Sequence, residues 1–323
     1  MRSNFHTPTR RVRRYIQLAL AGAALGSVCI AAPSYAGTVT VSNTDPSGAG
    51  SLSQAITDAN AAAGGDTVIF SGLSSGAQFT ASLPSITGAL TIDSSSGLNT
   101  FTVSQGLTTE SSTLNLTGNG TSGDYSITSD LTAKGSGYID ISDAYTVNGA
   151  TVNVINNGTV SVSGSIVDLS GDATLNGVGS SGGYPSIYVD HVSALNAANL
   201  SIANGGYLGI RHGSTVTLSG DATVDGTSSE GYLSRIVVET SSALNAANLS
   251  ITNGGLLDVS LYSTVTLSGD ATVDGVSSSG DSSTINLGED SELNAVNLNV
   301  TNGGIVNINP SGGPNVKVNL TGD

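Results

Sequence analysis

The chain has 323 residues, of which 38% are hydrophobic and only 10% charged, with 43 glycines, no tryptophan and a net charge of −15. Nine Lys and Arg stand against 24 Asp and Glu, and only Lys134, Arg211, Arg235 and Lys317 among the basic residues lie beyond Ala36. So acidic a surface argues against nucleic acid as a partner and against attraction to anionic lipid, both of which need basic patches.

Residues 1–36 read as a signal peptide. Arg2, Arg10, Arg11, Arg13 and Arg14 form a basic head, Ile16–Ala32 is almost wholly apolar or small, and Ser34-Tyr35-Ala36 offers small residues for cleavage before Gly37. The single cysteine, Cys29, leaves with that segment. The exported chain therefore relies on a continuous core rather than disulfides. No later stretch reaches the ~20 apolar residues that span a membrane, so no transmembrane segment is expected in the mature chain.

Residues 37–70 read as an N-terminal cap. Thr38–Val41 alternates as a short strand, Asp45-Pro46-Ser47-Gly48 is a turn, and Ser51–Ala63 is the one helix expected in the mature chain. Ser51 and Gln54 have capping-box spacing, Leu52, Ala55, Ile56 and Ala59 form one apolar stripe, and Gly64-Gly65 stops the helix. Asp66–Phe70 then begins a strand.

The stretch GAGSLSQAITDANAAAGGDTVIF (Gly48–Phe70) resembles the N-terminal capping motif of bacterial surface β-helix proteins, the autotransporter passengers and polymorphic outer-membrane-protein-like chains. The resemblance rests on Leu52, Ala55, Ile56, Ala59, Asn60, Asp66, Thr67 and Phe70. It implies a solenoid whose exposed apolar cross-section is covered by the helix, and export through a secretion machinery to the surface or exterior of a Gram-negative bacterium. The physical sense of such a cap is plain: a solenoid end leaves open strand edges and a bare core.

Residues 71–145 contain strand-sized fragments between polar turns, clearest at Ala89–Ile92, Phe101–Val103, Leu114–Leu116 and Tyr138–Ile141, and read as degenerate early coils. In residues 146–323 the repeat is regular. SALNAANLSI at Ser193 returns at Ser242 and as SELNAVNLNV at Ser291, and Gly171, Gly220 and Gly269 of the SGDAT phrase keep the same 49-residue step. A fixed period of this size marks a repeat architecture. Each unit divides into two halves of strand, polar turn and strand, which predicts two coils of about 21 and 28 residues, stacked at about 4.8 Å. The fold class is thus all-β: a right-handed single-stranded parallel β-helix with a short N-terminal capping helix.

Alternation points six successive aliphatic pairs inward: Ile187/Val189, Leu208/Ile210, Ile236/Val238, Leu257/Val259, Ile285/Leu287 and Val306/Ile308. Between them Tyr188, Gly209, Val237, Asp258, Asn286 and Asn307 are expected to face solvent. The columns Asn199/Asn248/Asn297 and Asn204/Asn253/Asn302 read as asparagine ladders or left-handed turns before glycine. After an insertion around Pro310–Pro314, Val316–Asp323 repeats the TVTLSGD phrase and stops mid-coil, which reads as a fragment.

For chemistry the expectations are mostly negative. Asp221/Asp225 and Asp270/Asp274 recur in turns but lack a calcium-repeat pattern, and Asn176 replaces the second Asp in the first copy. With cysteine gone and only His191 and His212 left beyond the signal, no metal site, catalytic residue or cofactor is expected. Asn43-Thr44-Asp45 matches a short motif of polygalacturonase-like enzymes but has no companion motif. One patch stands out. Coil alignment places Asp190, Arg211 and Glu239 in one outward column and Tyr207 with Arg235 in the next, near Tyr188, Tyr184, His212 and Tyr232. This is the expected binding face for a host or matrix protein or a glycan, since Tyr and Arg make good contact anchors. The resulting expectation is a non-catalytic, surface-exposed or secreted stalk or adhesin; the alternative is a polysaccharide-active β-helix lyase or hydrolase.

Overall fold

The computed structural model describes residues 36–62, 64–74, 77–93, 100–117, 124–144, 146–177, 183–226, 232–309 and 315–322. The signal-peptide reading and the insertion around Pro310–Pro314 fall outside these residues. Among them the chain forms three parallel sheets of 12, 11 and 9 strands, with one helix at Leu52–Ala61. In each sheet a strand pairs with those one coil before and after it, so each complete coil contributes one strand to every sheet. This is the right-handed parallel β-solenoid.

The coil lengths follow from the register. In the first sheet Arg235 pairs with Leu256, Leu256 with Thr284 and Thr284 with Ile305, giving alternating short and long coils. The same steps of 21 and 28 residues recur in the bonds between coils. The strand count per coil differs from the sequence reading. In one 49-residue unit the strands are Ala243–Ala246, Leu249–Thr252, Leu256–Val259, Thr264–Leu267, Ala271–Asp274 and Thr284–Leu287, three per coil rather than two. Four-residue strands between bends mostly of two to four residues carry too little alternation to be separated by pattern alone.

The inward pairs stack as the alternation requires. Ile187 pairs with Leu208, Leu208 with Ile236, Ile236 with Leu257 and Leu257 with Ile285. All ten side chains of the first five pairs are at most 1% exposed. At ~1.5–3 kcal/mol for each buried aliphatic side chain, these columns are the main stabilising term. The sixth pair differs: Val306 is only half-buried and Ile308 is 56% exposed. In the early coils the core is aromatic, with Phe70, Phe79, Phe101 and Tyr125 in a chain of ring contacts 5.3–6.0 Å between centroids. The early strands keep the same alternation, but their coils step 24 residues from Leu90 to Leu114 and 25 from Leu114 to Ile139, off the 21 and 28 of the later coils, which accounts for the degenerate look of that region.

The helix lies between the first two strands of the first sheet, Thr38–Val41 and Asp66–Phe70, which pair with each other. Its buried face is Leu52, Ala55, Ile56 and Ala59. Ser51 Oγ accepts the Gln54 N–H at 3.2 Å, but Gln54 reaches forward to Asp58 rather than back, and the Ser51 N–H donates to Gly48 O. Only half of the predicted capping box is therefore made. Asn60 ties the helix to the next coil: its Oδ1 accepts from the N–H groups of Thr87 and Gly88, and its Nδ2 donates to Ser85 O. Asp66 accepts the Gly37 N–H at 2.7 Å. Asn43 belongs to the same module, where its Oδ1 accepts the Asp45 N–H in a turn. No helix among the described residues is long and apolar enough to cross a membrane.

Candidate metal centre and the tyrosine-arginine face

The candidate site is built by a corner that the solenoid repeats on successive coils. Where the first sheet turns toward the second, left-handed backbone recurs at His191 and Val192, His212, Thr240 and Ser241, Leu261 and Tyr262, and Asp290. Two residues after each turn begins comes a buried serine: Ser193, Ser214, Ser242, Ser263 and, one coil further, Ser291. These serines form a ladder. The N–H of Ser165 donates to Ser193 Oγ, that of Ser193 to Ser214, that of Ser214 to Ser242 and that of Ser242 to Ser263, at 3.1–3.3 Å. A bend costs the sheet its regular backbone partners, and the hydroxyls satisfy N–H groups that would otherwise be buried and unpaired.

Because every corner is alike, a side chain at one corner lies over the same position one coil away. His191 and His212 are one short coil apart, and their rings lie 5.3 Å apart, tilted by 33°. Asp190 ends the strand Ser186–Asp190 immediately before the turn. Its Oδ1 is 2.5 Å from His212 Nδ1 and 3.4 Å from His191 Nδ1, and it also accepts the His191 backbone N–H at 2.8 Å. Ser193 Oγ bonds to the Asp190 carbonyl, which fixes the turn beneath them. Burial acts to raise the Asp190 pKa, but the bonds from His212 and the His191 N–H, with the nearby imidazole charge, outweigh it and hold the carboxyl below its ordinary value.

The ligand atoms of Asp190, His191 and His212 all lie within 4.8 Å of one another. Two imidazoles and a carboxylate suit zinc or another first-row divalent ion, with three protein ligands and room for water or substrate. The side chains are 26%, 69% and 54% exposed, so the position between them faces solvent. This corrects two sequence expectations. A chain expected to offer no metal ligands and no catalytic capacity brings three convergent ligands together at one corner. The signal was present: two histidines spaced by one short coil, the first preceded by aspartate.

Five of the six residues of the predicted binding face, Tyr188, Tyr207, Arg211, Arg235 and Glu239, also meet. Arg211 Nη2 donates to Tyr207 Oη at 2.7 Å, and its Nε is 2.7 Å from Glu239 Oε1. That second contact is an ion pair without an aligned N–H, since Nε makes no hydrogen bond of good geometry. Arg211 lies 5.8 Å from the centroid of the Tyr188 ring, while Arg235 caps Tyr207 at 4.7 Å. Tyr188 and Tyr207 are 5.4 Å apart, and Tyr184 is 6.1 Å from both Tyr207 and Tyr232. Asp190 belongs to the same face and to the metal cluster.

Tyr207 and Gly209 are outward by alternation yet buried, Tyr207 to 3% exposure. The reason is Gly209. A Cβ there would stand 2.9 Å from Tyr207 Cε1 and 3.0 Å from its Oη, so only glycine lets the ring lie across the strand. Burial raises the Tyr207 pKa, opposed by Arg211 and Arg235, so the phenol keeps its proton through neutral pH. An open groove of about 970 Å³ continues along the outer face of the first sheet from Val237 and Glu239 toward Asn309.

The recurring acidic turns have a different role. Asn199 Nδ2 donates to Asp172, and its Oδ1 accepts the Asp221 N–H. Asn248 joins Asp221 to Asp270 in the same way, and Asn297 donates to Asp270. Asn204, Asn253 and Asn302 occupy left-handed positions and donate to Asn176, Asp225 and Asp274. Asparagine thus separates the carboxylates of successive coils, and among the described residues these aspartates do not gather into a metal-sized cluster.

No protein-family model, curated protein or solved structure matches this chain. The resemblance of Gly48–Phe70 to surface β-helix caps accordingly extends to a parallel β-solenoid with one N-terminal helix and not to membership of an autotransporter family.

Proposed function

We propose that this solenoid is a metal-dependent, polysaccharide-active β-helix whose site lies along the outer face of the first sheet. The observation that carries the reading is the convergence of Asp190, His191 and His212 within 4.8 Å on a solvent-facing corner. A divalent ion held by Asp190, His191 and His212 would supply Lewis-acid polarisation and lower the pKa of a coordinated water. The 2.5 Å contact between Asp190 Oδ1 and His212 Nδ1 keeps the two side chains at one corner until an ion takes its place. Arg211, fixed between Glu239 and Tyr207, places a cation beside the metal corner without a large local excess of charge. The groove beyond Glu239 is long and open, a shape suited to an extended chain rather than a small enclosed ligand.

The test is metal binding followed by turnover. Cobalt(II) titrated into the protein is expected to give a stoichiometric absorbance change that His212→Ala removes. A panel of neutral and acidic polysaccharides is expected to include one degraded by the metal-loaded protein and spared after chelation. Metal binding unaffected by His212→Ala, or no turnover of any polysaccharide, overturns the reading.

A second reading concerns where the site operates, and the cap motif together with the basic-apolar N-terminus favours it. The chain is exported through a secretion machinery and stands at the surface or exterior of the cell, meeting a host or matrix protein or glycan. Protease shaving of intact cells is expected to remove it; full protection overturns this placement.

A further inference from the structure

We infer that the cavity between Tyr184, Tyr207, Tyr232 and Arg235 is a subsite for a carboxylated sugar ring. As an assignment of substrate class this rests on the polysaccharide reading above; as a binding site it stands on its own geometry. The cavity holds about 240 Å³, with Leu233 and Leu256 completing its walls. That is below the ~300–1,000 Å³ of sites for drug-sized ligands, and fits one six-membered ring.

Arg235 sets the charge. Arg211 is neutralised by Glu239 at 2.7 Å and Lys134 by Glu110 at 3.4 Å, whereas Arg235 has no carboxylate partner among the described residues. Its guanidinium packs on the Tyr207 ring, which restrains it while leaving its N–H edge for a ligand. In so acidic a chain, an arginine with no carboxylate partner among the described residues, in a cavity whose described lining holds no acid, is a local point of attraction for one anion. Screening at physiological salt acts over about 8 Å, so this local charge outweighs the distant carboxylates.

The tyrosines set the rest of the chemistry. Aromatic faces carry negative π-density and do not welcome a bare anion, but they do accept the C–H face of a saturated ring. Their hydroxyls bond to hydroxyl groups at such a ring's rim. A pyranose with a carboxylate on one edge satisfies both demands, with its face on Tyr184 or Tyr232 and its carboxylate toward Arg235. Four of the chain's ten tyrosines lie on this face, Tyr184, Tyr188, Tyr207 and Tyr232, which concentrates stacking surface where the free arginine is. From Tyr207 to Arg211 the strand advances roughly 13 Å, so a chain seated by its acidic ring in this cavity reaches the metal corner across the same sheet.

Glucuronic acid and its methyl ester are the probes, titrated in the presence of chelator and followed by tyrosine fluorescence, which no tryptophan obscures. The acid is expected to bind about tenfold to a hundredfold more tightly than the ester, the range a charge-assisted hydrogen bond supplies. Arg235→Gln is expected to erase that preference, and Tyr232→Ala to weaken both ligands alike. Equal binding of acid and ester to the unaltered protein overturns the inference without any variant, as does absence of binding by both. A preference that survives in a folded Arg235→Gln protein overturns it too. Because uronate binding is measured with chelator and turnover with metal-loaded protein, uronate binding without turnover of any polysaccharide in the second assay would defeat the metal-dependent reading and leave this site standing, while metal-dependent turnover without uronate preference would do the reverse.

Discussion

Ser214→Ala tests whether the buried serine ladder sets the corner that carries the histidines. Ser214 is 0% exposed, and its Oγ is the acceptor for the Ser193 N–H at 3.1 Å. Alanine retains almost the whole side-chain volume, so cavity formation is a minor component. What is lost is the partner of one buried backbone N–H, at a cost of about 1–3 kcal/mol. Ser201→Ala, at an exposed position of the strand Leu200–Ala203 in the third sheet, is the control and is expected to fall within about 0.5 kcal/mol of the parent. Stability in a solenoid is a sum over neighbouring coils, so the loss should be local. Native-state hydrogen exchange is therefore the assay of choice, with urea unfolding alongside. The Ser193 amide should exchange at least tenfold faster in Ser214→Ala, while amides of the strand Thr284–Leu287 remain as they were. Since Ser193 follows His191-Val192 directly, cobalt affinity should also fall, though less than in His212→Ala. If Ser214→Ala matches Ser201→Ala in urea and leaves the Ser193 amide protected, the ladder does not hold the corner.

Three further outcomes follow from side-chain environments elsewhere. Gly209→Ala forces the Tyr207 ring off the strand and breaks its bond with Arg211, with an expected loss of about 1–3 kcal/mol in urea unfolding and a rise in solvent-exposed tyrosine by absorbance; an unchanged tyrosine spectrum would count against the flat-lying ring. Asp140 has its pKa raised above the ordinary 3.8, chiefly by burial and further by Asp143, against the opposing Ser161 bond. A raised folded pKa means the unfolded chain loses this proton first, so stability present at low pH is lost as pH rises through the folded value. Asp140→Asn should therefore melt higher than the parent at pH 7 and converge with it near pH 3; a constant offset would sink the assignment. Asn248→Asp places a third carboxylate between Asp221 and Asp270, and should lower the melting temperature at pH 7 more in low salt than in high salt.

How much of this fold was legible in the sequence depends on which signal each feature left. The inward pairs from Ile187 to Leu287 were readable because a buried β position tolerates little but aliphatic side chains, and the 49-residue step aligned them. The three-strand coil was not readable, because a four-residue strand shows at most two inward residues, and while Gly254-Gly255 and Gly269 mark two of the bends, Ala247-Asn248 and Ser260–Ser263 carry no glycine or proline. The serine ladder is in plain view at Ser193, Ser242 and Ser291, but serine is also the commonest turn filler, and only burial separates the two uses. Asp221 and Asp270 resembled calcium ligands for a related reason: a carboxylate repeating once per unit fits either a metal or a ladder, and its asparagine partner decides which.

The site shows the same logic from the other side. Residues that repeat faithfully build the solenoid, and chemistry appears where a repeated geometry receives an unrepeated residue. The left-handed corner recurs with Thr240, Leu261 and Asp290 among its occupants, and only on the two coils at His191 and His212 does it carry imidazoles, beneath Asp190. The outward strand positions likewise hold Val237, Asp258 and Asn286 on later coils, but Tyr188 and Gly209 where Tyr207 lies down. Neither histidine is informative alone, since a single exposed histidine at a turn has no ligand geometry. Their separation by one short coil is what converts them into a pair, and that distance has meaning only once the 21-residue coil has been recognised. A search for metal sites by sequence proximity passes over this one, whereas a search by coil register would find it in any solenoid whose coil lengths are known.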